Sequence, residues 1–153
     1  MSILSPLDNA TGIATNANIS ITFDEAVDVE TGNITIYKAA DDSEVEAIDV
    51  TGGNVSGSGS TVITIDPTTI LDEQTEYYVI VDATAFDDVS SNSFSGITAS
   101  STWSFTIGDF TNPSTDSLSP IDDEIDVDIS SNLVLTFDEA VDVETGNITI
   151  YKA

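Results

Sequence analysis

Carboxylates dominate what this chain can do chemically. Its 153 residues include 28 Asp and Glu, set against Lys38, Lys152 and no Arg, for a formal net charge of −26. There is no Cys and no His, and the only Met is residue 1. Without thiols or imidazoles, cysteine nucleophiles, histidine bases and the usual zinc and haem ligands all drop out. Oxygen chemistry remains. Acidic loops suit hard cations, above all calcium, which takes about six to eight oxygens at roughly 2.3–2.6 Å. Adjacent acids such as Asp24 and Glu25, or Asp87 and Asp88, also invite comparison with glycoside hydrolysis. Among so many acids, however, adjacent pairs arise by chance, and nothing marks one member as a buried acid of raised pKa. An enzyme is not expected.

The elements that must position these acids read as strands. Period-two alternation rich in Ile, Val, Thr and aromatics, punctuated by Gly, Asn, Asp and Ser, predicts seven of them. They cover roughly 11–15, 18–23, 33–38, 44–50, 61–66, 76–82 and 101–107. Trp103, Phe105 and Ile107 share one face, and Tyr77, Val79 and Val81 alternate with Tyr78 and Ile80, so the strand at 76–82 is expected to be central. Tyr37, Tyr77, Tyr78 and Trp103 could form a glycan platform, but their places in alternating strands assign them to the core. Around 44–50 the register is ambiguous, because Val45 and Ala47 compete with Ile48 and Val50 for the inward face. At most a turn of helix is expected near 68–71 or 83–86. The pattern predicts an all-β antiparallel sandwich.

Strand parity then groups the acids. If seven strands alternate in direction, the loop Asp24 to Glu30 and the long loop Ala83 to Ser100 emerge at one end. Asp24, Glu25, Asp28, Asp82, Asp87, Asp88 and Asn92 are therefore the candidate calcium ligands. Asp41, Asp42, Asp72 and Glu73 fall at the opposite end beside Asp109, where an ion would stiffen a junction between modules. The alternative is that these acids stay separate and hydrated, with salt screening a polyanion. Asp122, Glu124, Asp126 and Asp128 look like a calcium loop, but they alternate with Ile125, Val127 and Ile129. Alternate side chains on a strand sit about 6.6 Å apart, too far to share one ion. Lys38 raises one further possibility, an isopeptide crosslink to Asn or Asp, with Asn33 and Asn54 nearby only in sequence, although an exposed Lys is far commoner.

The chain also contains its own beginning twice. Residues 22–39 recur unchanged at 136–153, and both Pro6 with Pro120 and Phe23 with Phe137 give a period of 114. Upstream, Leu4-Ser5-Pro6 matches Leu118-Ser119-Pro120 and Asp8 matches Asp122, while Ile13, Ile19 and Ile21 face Val127, Leu133 and Leu135. The reading is one complete repeat at 1–108, a linker at 109–116, and the N-terminal third of a second repeat at 117–153. A module of that length can build its own core, whereas 37 residues cannot cover an apolar sheet face. The partial repeat is expected to fray or to pair with another chain.

Several motifs in order then point to a family: Pro-x-Asp-Asn-Ala-Thr-Gly-Ile at 6–13, Ile-Thr-Phe-Asp-Glu-Ala-Val at 21–27, Gly-Asn-Ile-Thr-Ile at 32–36, Tyr-Tyr-Val at 77–79, Ala-Phe-Asp-Asp at 85–88 and Thr-Trp-Ser-Phe-Thr at 102–106. Together they resemble the bacterial Ig-like domains, of the surface-layer-protein type, that recur in giant secreted adhesins and cell-surface proteins. The resemblance implies an Ig-like β-sandwich, placed outside the cell at a bacterial surface and used in tandem as a spacer, often rigidified by calcium. In the loop 87–92, Ser91 stands where the family pattern has Gly.

Function follows on three lines. The first is an extender of a cell-adhesion protein, with neighbouring repeats as its partners and calcium as its cofactor. The second is a glycan- or surface-binding module, and the third a self-assembling subunit in which 117–153 complete another chain's sheet. Nucleic acid and anionic membranes are excluded as partners by charge.

Overall fold

The computed structural model describes residues 3–152. They divide into two compact units, residues up to 110 and residues from 111. The first unit is an Ig-like β-sandwich. One sheet holds β1 (Ile3–Ser5), β3 (Ile19–Val29), β7 (Ser60–Ile65) and β6 (Val55–Ser56) in that spatial order, with β9 (Phe86–Asp88) also paired to β3. The other holds β2 (Ala10–Ile13), β10 (Ser104–Ile107), β8 (Glu76–Val81), β4 (Asn33–Lys38) and β5 (Glu44–Asp49). Every pairing is antiparallel except β2 with β10, which is parallel.

Alternation builds the core. Tyr77, Val79 and Val81 of β8 face inward with Ile34 and Ile36 of β4, and Ile19, Ile21, Ile63 and Ile65 close on them from the other sheet. Each such side chain contributes about 1.5–3 kcal/mol by leaving water. Trp103, Phe105 and Ile107 are fully buried, as the sequence predicts. The outward parity holds as well, because Tyr37 and Tyr78 stack on the outer face with ring centroids 5.2 Å apart. Tyr37 is therefore outside the core, whereas Tyr78 is buried but stands apart from the cluster that holds Tyr77 and Trp103.

Four features depart from the sequence reading. Three short strands, β1, β6 and β9, join the seven expected. The strand expected to end at Phe23 runs on to Val29 through a break in register between Thr22 and Val27, and its second half pairs with β9. Asp24 to Glu30 is thus strand for most of its length, because Val27 and Phe86 both bury against the core and draw the two backbones together. The ambiguity at 44–50 is resolved by a bulge. Ile36 pairs with Glu46 and Tyr37 with Glu44, so Val45 is the extra residue and Ile48 keeps the inward face. Neither suggested helical turn forms.

At residues 68–69 the work of a helical turn is done by a carboxylate. Glu46 accepts hydrogen bonds from the backbone N–H groups of Thr68 and Thr69, at 3.0 and 2.9 Å, and from the Thr68 hydroxyl at 2.7 Å. It ties the crossover between the sheets to the β5 edge. Partial burial raises its pKa, but the Thr68 and Thr69 N–H groups outweigh this and hold the carboxyl below its usual value of 4.5. A depressed folded pKa means the contribution is complete above 4.5 and is lost as pH falls through the lower folded value. Glu46→Ala is expected to cost about 1–3 kcal/mol by removing hydrogen bonds to a charged carboxylate. Urea unfolding at pH 7 measures it, and the gap between parent and variant should narrow below pH 4.

The second unit contains β11 (Thr115–Ser119) and β12 (Val134–Phe137), paired antiparallel with Leu118 opposite Leu135. Leu118, Leu133 and Leu135 stay roughly half exposed, because a two-stranded sheet offers nothing to cover them.

Candidate functional site

The predicted ligands do not form one cage. β3 and β9 place Asp28 directly opposite Asp87, and Val27 opposite Asp88. Phe23, Asp24, Glu25, Asp88 and Asn92 line a shallow cleft of about 190 Å³ beside them. Asp82 lies apart, where its carboxylate accepts the Asn33 N–H at 2.8 Å. Asp109 lies elsewhere again, accepting from the Gln74 side-chain amide at 2.9 Å while the Phe110 N–H donates to Glu73. Among the described residues no group of three or more acids is arranged to hold a metal ion.

Asp88 is occupied by its own loop. One carboxylate oxygen accepts from the Ser90 and Asn92 N–H groups, both at 2.8 Å, and the other accepts from the Asn92 side-chain amide at 2.7 Å. The Asn92 amide, followed by the Asn92 N–H, holds this carboxyl below its usual range. A similar device recurs at three other Asp residues that precede Ser or Thr by two. Asp41 with Ser43, Asp49 with Thr51 and Asp128 with Ser130 each accept the N–H two positions on together with the hydroxyl. In each, the hydroxyl first and the N–H second lower the carboxyl pKa. These four acids therefore work as turn caps. Asp138 performs a related task in the second unit, where the Ser114 N–H and hydroxyl donate to it at 2.8 and 2.6 Å. Lys38 pairs with Asp72 at 3.3 Å, so its partner is a carboxylate and neither Asn33 nor Asn54.

The best-built feature is one that the candidate ligand set misses. The N-terminal segment runs beside β10 in the same direction and is fastened to it at successive points. Trp103 donates its indole N–H to the carbonyl of buried Pro6 at 2.9 Å. The Ser104 N–H donates to the Asp8 carboxylate at 2.9 Å, and the Asn9 N–H donates to the Ser104 carbonyl at 2.8 Å. The parallel pairing of Ala10 with Phe105 and Ile13 with Ile107 follows, and the Gly108 N–H closes the row on the Ile13 carbonyl at 2.9 Å. The chain thus comes in at the start of β10 and leaves at its finish. The row therefore joins the incoming and outgoing segments along the strand axis. One signal in the sequence points here: Pro6 and Asp8 recur as Pro120 and Asp122 where most of their neighbours change.

The family comparison agrees with this architecture. The family described as bacterial Ig-like domain matches residues 1–107. Among solved structures, the crystal structure of the S-layer protein rSbsC is similar with a TM-score of 0.43 and 19% identity, over 72% of this chain and 14% of that one. No curated protein matches significantly.

Proposed function

We propose, from the premise that this chain belongs to the bacterial Ig-like domain family, that it is a structural extender module of a bacterial cell-surface protein, built to carry tension from one end to the other. The fastened parallel pair of β2 and β10 carries this reading. A binding module needs an exposed recognition face, and a catalyst needs activated groups. Here the most heavily constructed feature is instead the seam between the incoming and outgoing strands. Outward reach from a cell, with neighbouring repeats in series, is the use this geometry suits. The test is single-molecule pulling on the chain held at its termini. Asp8→Ala should lower the force at which the first unit yields, and an unchanged force would remove the seam from the account.

Cation support is read as screening. The candidate ligands are dispersed, and Asp88 spends its oxygens on its own loop, so the residues present do not fit a ready cage. A net charge of −26 still opposes compaction, and counter-ions relieve that repulsion. The melting midpoint should rise by several degrees between about 0.01 and 0.15 M ionic strength, where the Debye length shrinks from ~30 to ~8 Å. Sodium, magnesium and calcium should give equal rises at matched ionic strength. A rise selective for calcium would contradict screening and restore the cleft lined by Asp24, Glu25, Asp88 and Asn92 as a site.

A further inference from the structure

The chain that joins the two units is anchored within each of them. In the first unit the Gln74 N–H donates to the Gly108 carbonyl at 3.3 Å, the Gln74 side-chain amide donates to Asp109, and the Phe110 N–H donates to Glu73. The Phe110 ring lies on Gly108, so closely that a Cβ there would come within 2.8 Å of it. In the second unit Ser114 meets Asp138 through three hydrogen bonds. Its N–H and hydroxyl donate to the two carboxylate oxygens at 2.8 and 2.6 Å, and its carbonyl accepts the Asp138 N–H at 3.1 Å. The hydroxyl first and the N–H second hold this carboxyl below its usual range. Thr115 opposite Phe137 continues the pairing. Beyond it the register is the one the complete repeat makes. Ser117, Leu118 and Ser119 face Thr136, Leu135 and Val134, as Ile3, Leu4 and Ser5 face Thr22, Ile21 and Ser20, every pair displaced by the period of 114.

We propose that Asp138 is the seat of the incoming chain, a site that takes an extended serine-bearing segment and makes Ser114 the first fixed residue of its repeat, so that the joint between repeats is confined to Thr111, Asn112 and Pro113. Two features set this acid apart from the turn caps. A cap binds the N–H two residues further on, whereas Ser114 lies 24 positions before Asp138, so the contact fastens one segment to another. It also engages both carboxylate oxygens together with the backbone of the same partner, and hydrogen bonds to a charged group are the strong class. The joint that remains is short and stiff. The ring of Pro113 fixes its own φ and keeps Asn112 out of the helical region. On this reading the joint is shorter than the stretch 109–116 by which the sequence separates the repeats. Fewer swivelling residues leave fewer directions open to the next repeat, which suits a spacer that must keep its reach. The anchoring itself does not depend on whether the module works under tension.

The test is backbone NMR relaxation on the full chain, read residue by residue as order parameters. The parent should give about 0.85 at Asp109, at Phe110 and from Ser114 to Leu118, with a dip at Asn112. Asp138→Ala should lower Ser114, Thr115 and Asp116 below about 0.6 and leave Asp109 and Phe110 unchanged. Leu118 and Leu135 report whether β11 and β12 stay paired. Should Asp138→Ala release those two as well, Ser114→Ala decides, because it removes one hydroxyl and leaves the strands their backbone bonds. Loss of order at 114–116 with Leu118 kept rigid then supports the seat, and no loss overturns it. A parent already below about 0.6 from Asn112 through Asp116 overturns the proposal, whatever Leu118 and Leu135 show. If Asp138→Ala leaves 114–116 as ordered as in the parent, Asp138 is overturned as the seat.

Discussion

Trp103→Ala is expected to leave the first unit unfolded, or nearly so, at room temperature. The indole is fully buried, and removing a buried Trp typically costs about 3–5 kcal/mol in lost burial and residual cavity. Total stability of a domain this size is about 5–15 kcal/mol, so the loss takes a large share of it. A second cost adds to the first, because the Pro6 carbonyl loses the donor that joins it to β10. Trp103→Phe separates the two contributions. It keeps a large part of the apolar volume and removes the N–H with the rest of the five-membered ring, for an expected cost of about 1–3 kcal/mol. Circular dichroism in urea measures both variants. A Trp103→Ala midpoint within error of the parent would show that the seam does not hold the sandwich together.

Gly96→Ala is expected to cost about 2–5 kcal/mol, from a left-handed backbone and a steric clash combined. Its φ is +77°, and a Cβ built there lies 2.5 Å from the Val81 carbonyl oxygen and 2.9 Å from the Ala83 nitrogen. Both are backbone atoms of the segment leaving β8, so neither can swing aside as a side chain would. Relief requires Ile97 to pull away from Val81, with which it exchanges two hydrogen bonds of 2.9 Å. Gly12 supplies the control. Its φ of +72° is nearly the same, but a Cβ there meets nothing within 4 Å, so Gly12→Ala should cost only the backbone preference, about 1–2 kcal/mol. Equal costs at the two sites would mean that the loop returning through Gly96 yields freely.

How far the sequence could be read is seen by following particular segments. Residues 77–81 and 103–107 alternate so regularly that their faces are fixed before any partner is known, and the core they form is the one observed. β9 carries no such pattern. It is three residues long, and what makes it a strand is Phe86 burying opposite Val29, a partner far away in the chain. The extension of β3 was hidden for the same reason, since Asp24 and Glu25 interrupt the apolar alternation at the break in register. Composition records the number and charge of the acids but says nothing of their duties. Asp41, Asp49, Asp88 and Asp128 are turn caps, a role visible in retrospect in the Ser or Thr two residues on. Asp8 reaches Ser104 across 96 positions, which no local pattern could reveal. The repeated block makes the point most directly. Residues 22–39 supply the outer half of β3 and all of β4, whereas among the described residues 136–152 of the identical copy only Thr136 and Phe137 lie in a strand. Strand formation in this chain is decided by partners more than by propensity.

The most direct test of a load-bearing module is the dependence of its strength on the direction of pull. In one arrangement the chain is held at its two termini, so that force runs along the β2 and β10 row. In the other, the same chain is held at Gln74 and Asp109, which touch one another, so that force peels β10 away rung by rung from its finish. The account predicts a single yielding event at clearly higher force from the termini, with about 300 Å of released length for a unit of this size. It predicts a lower force through Gln74 and Asp109. Equal forces in the two directions would contradict it, because the seam would then be no stronger along its axis than any other edge of the sheet.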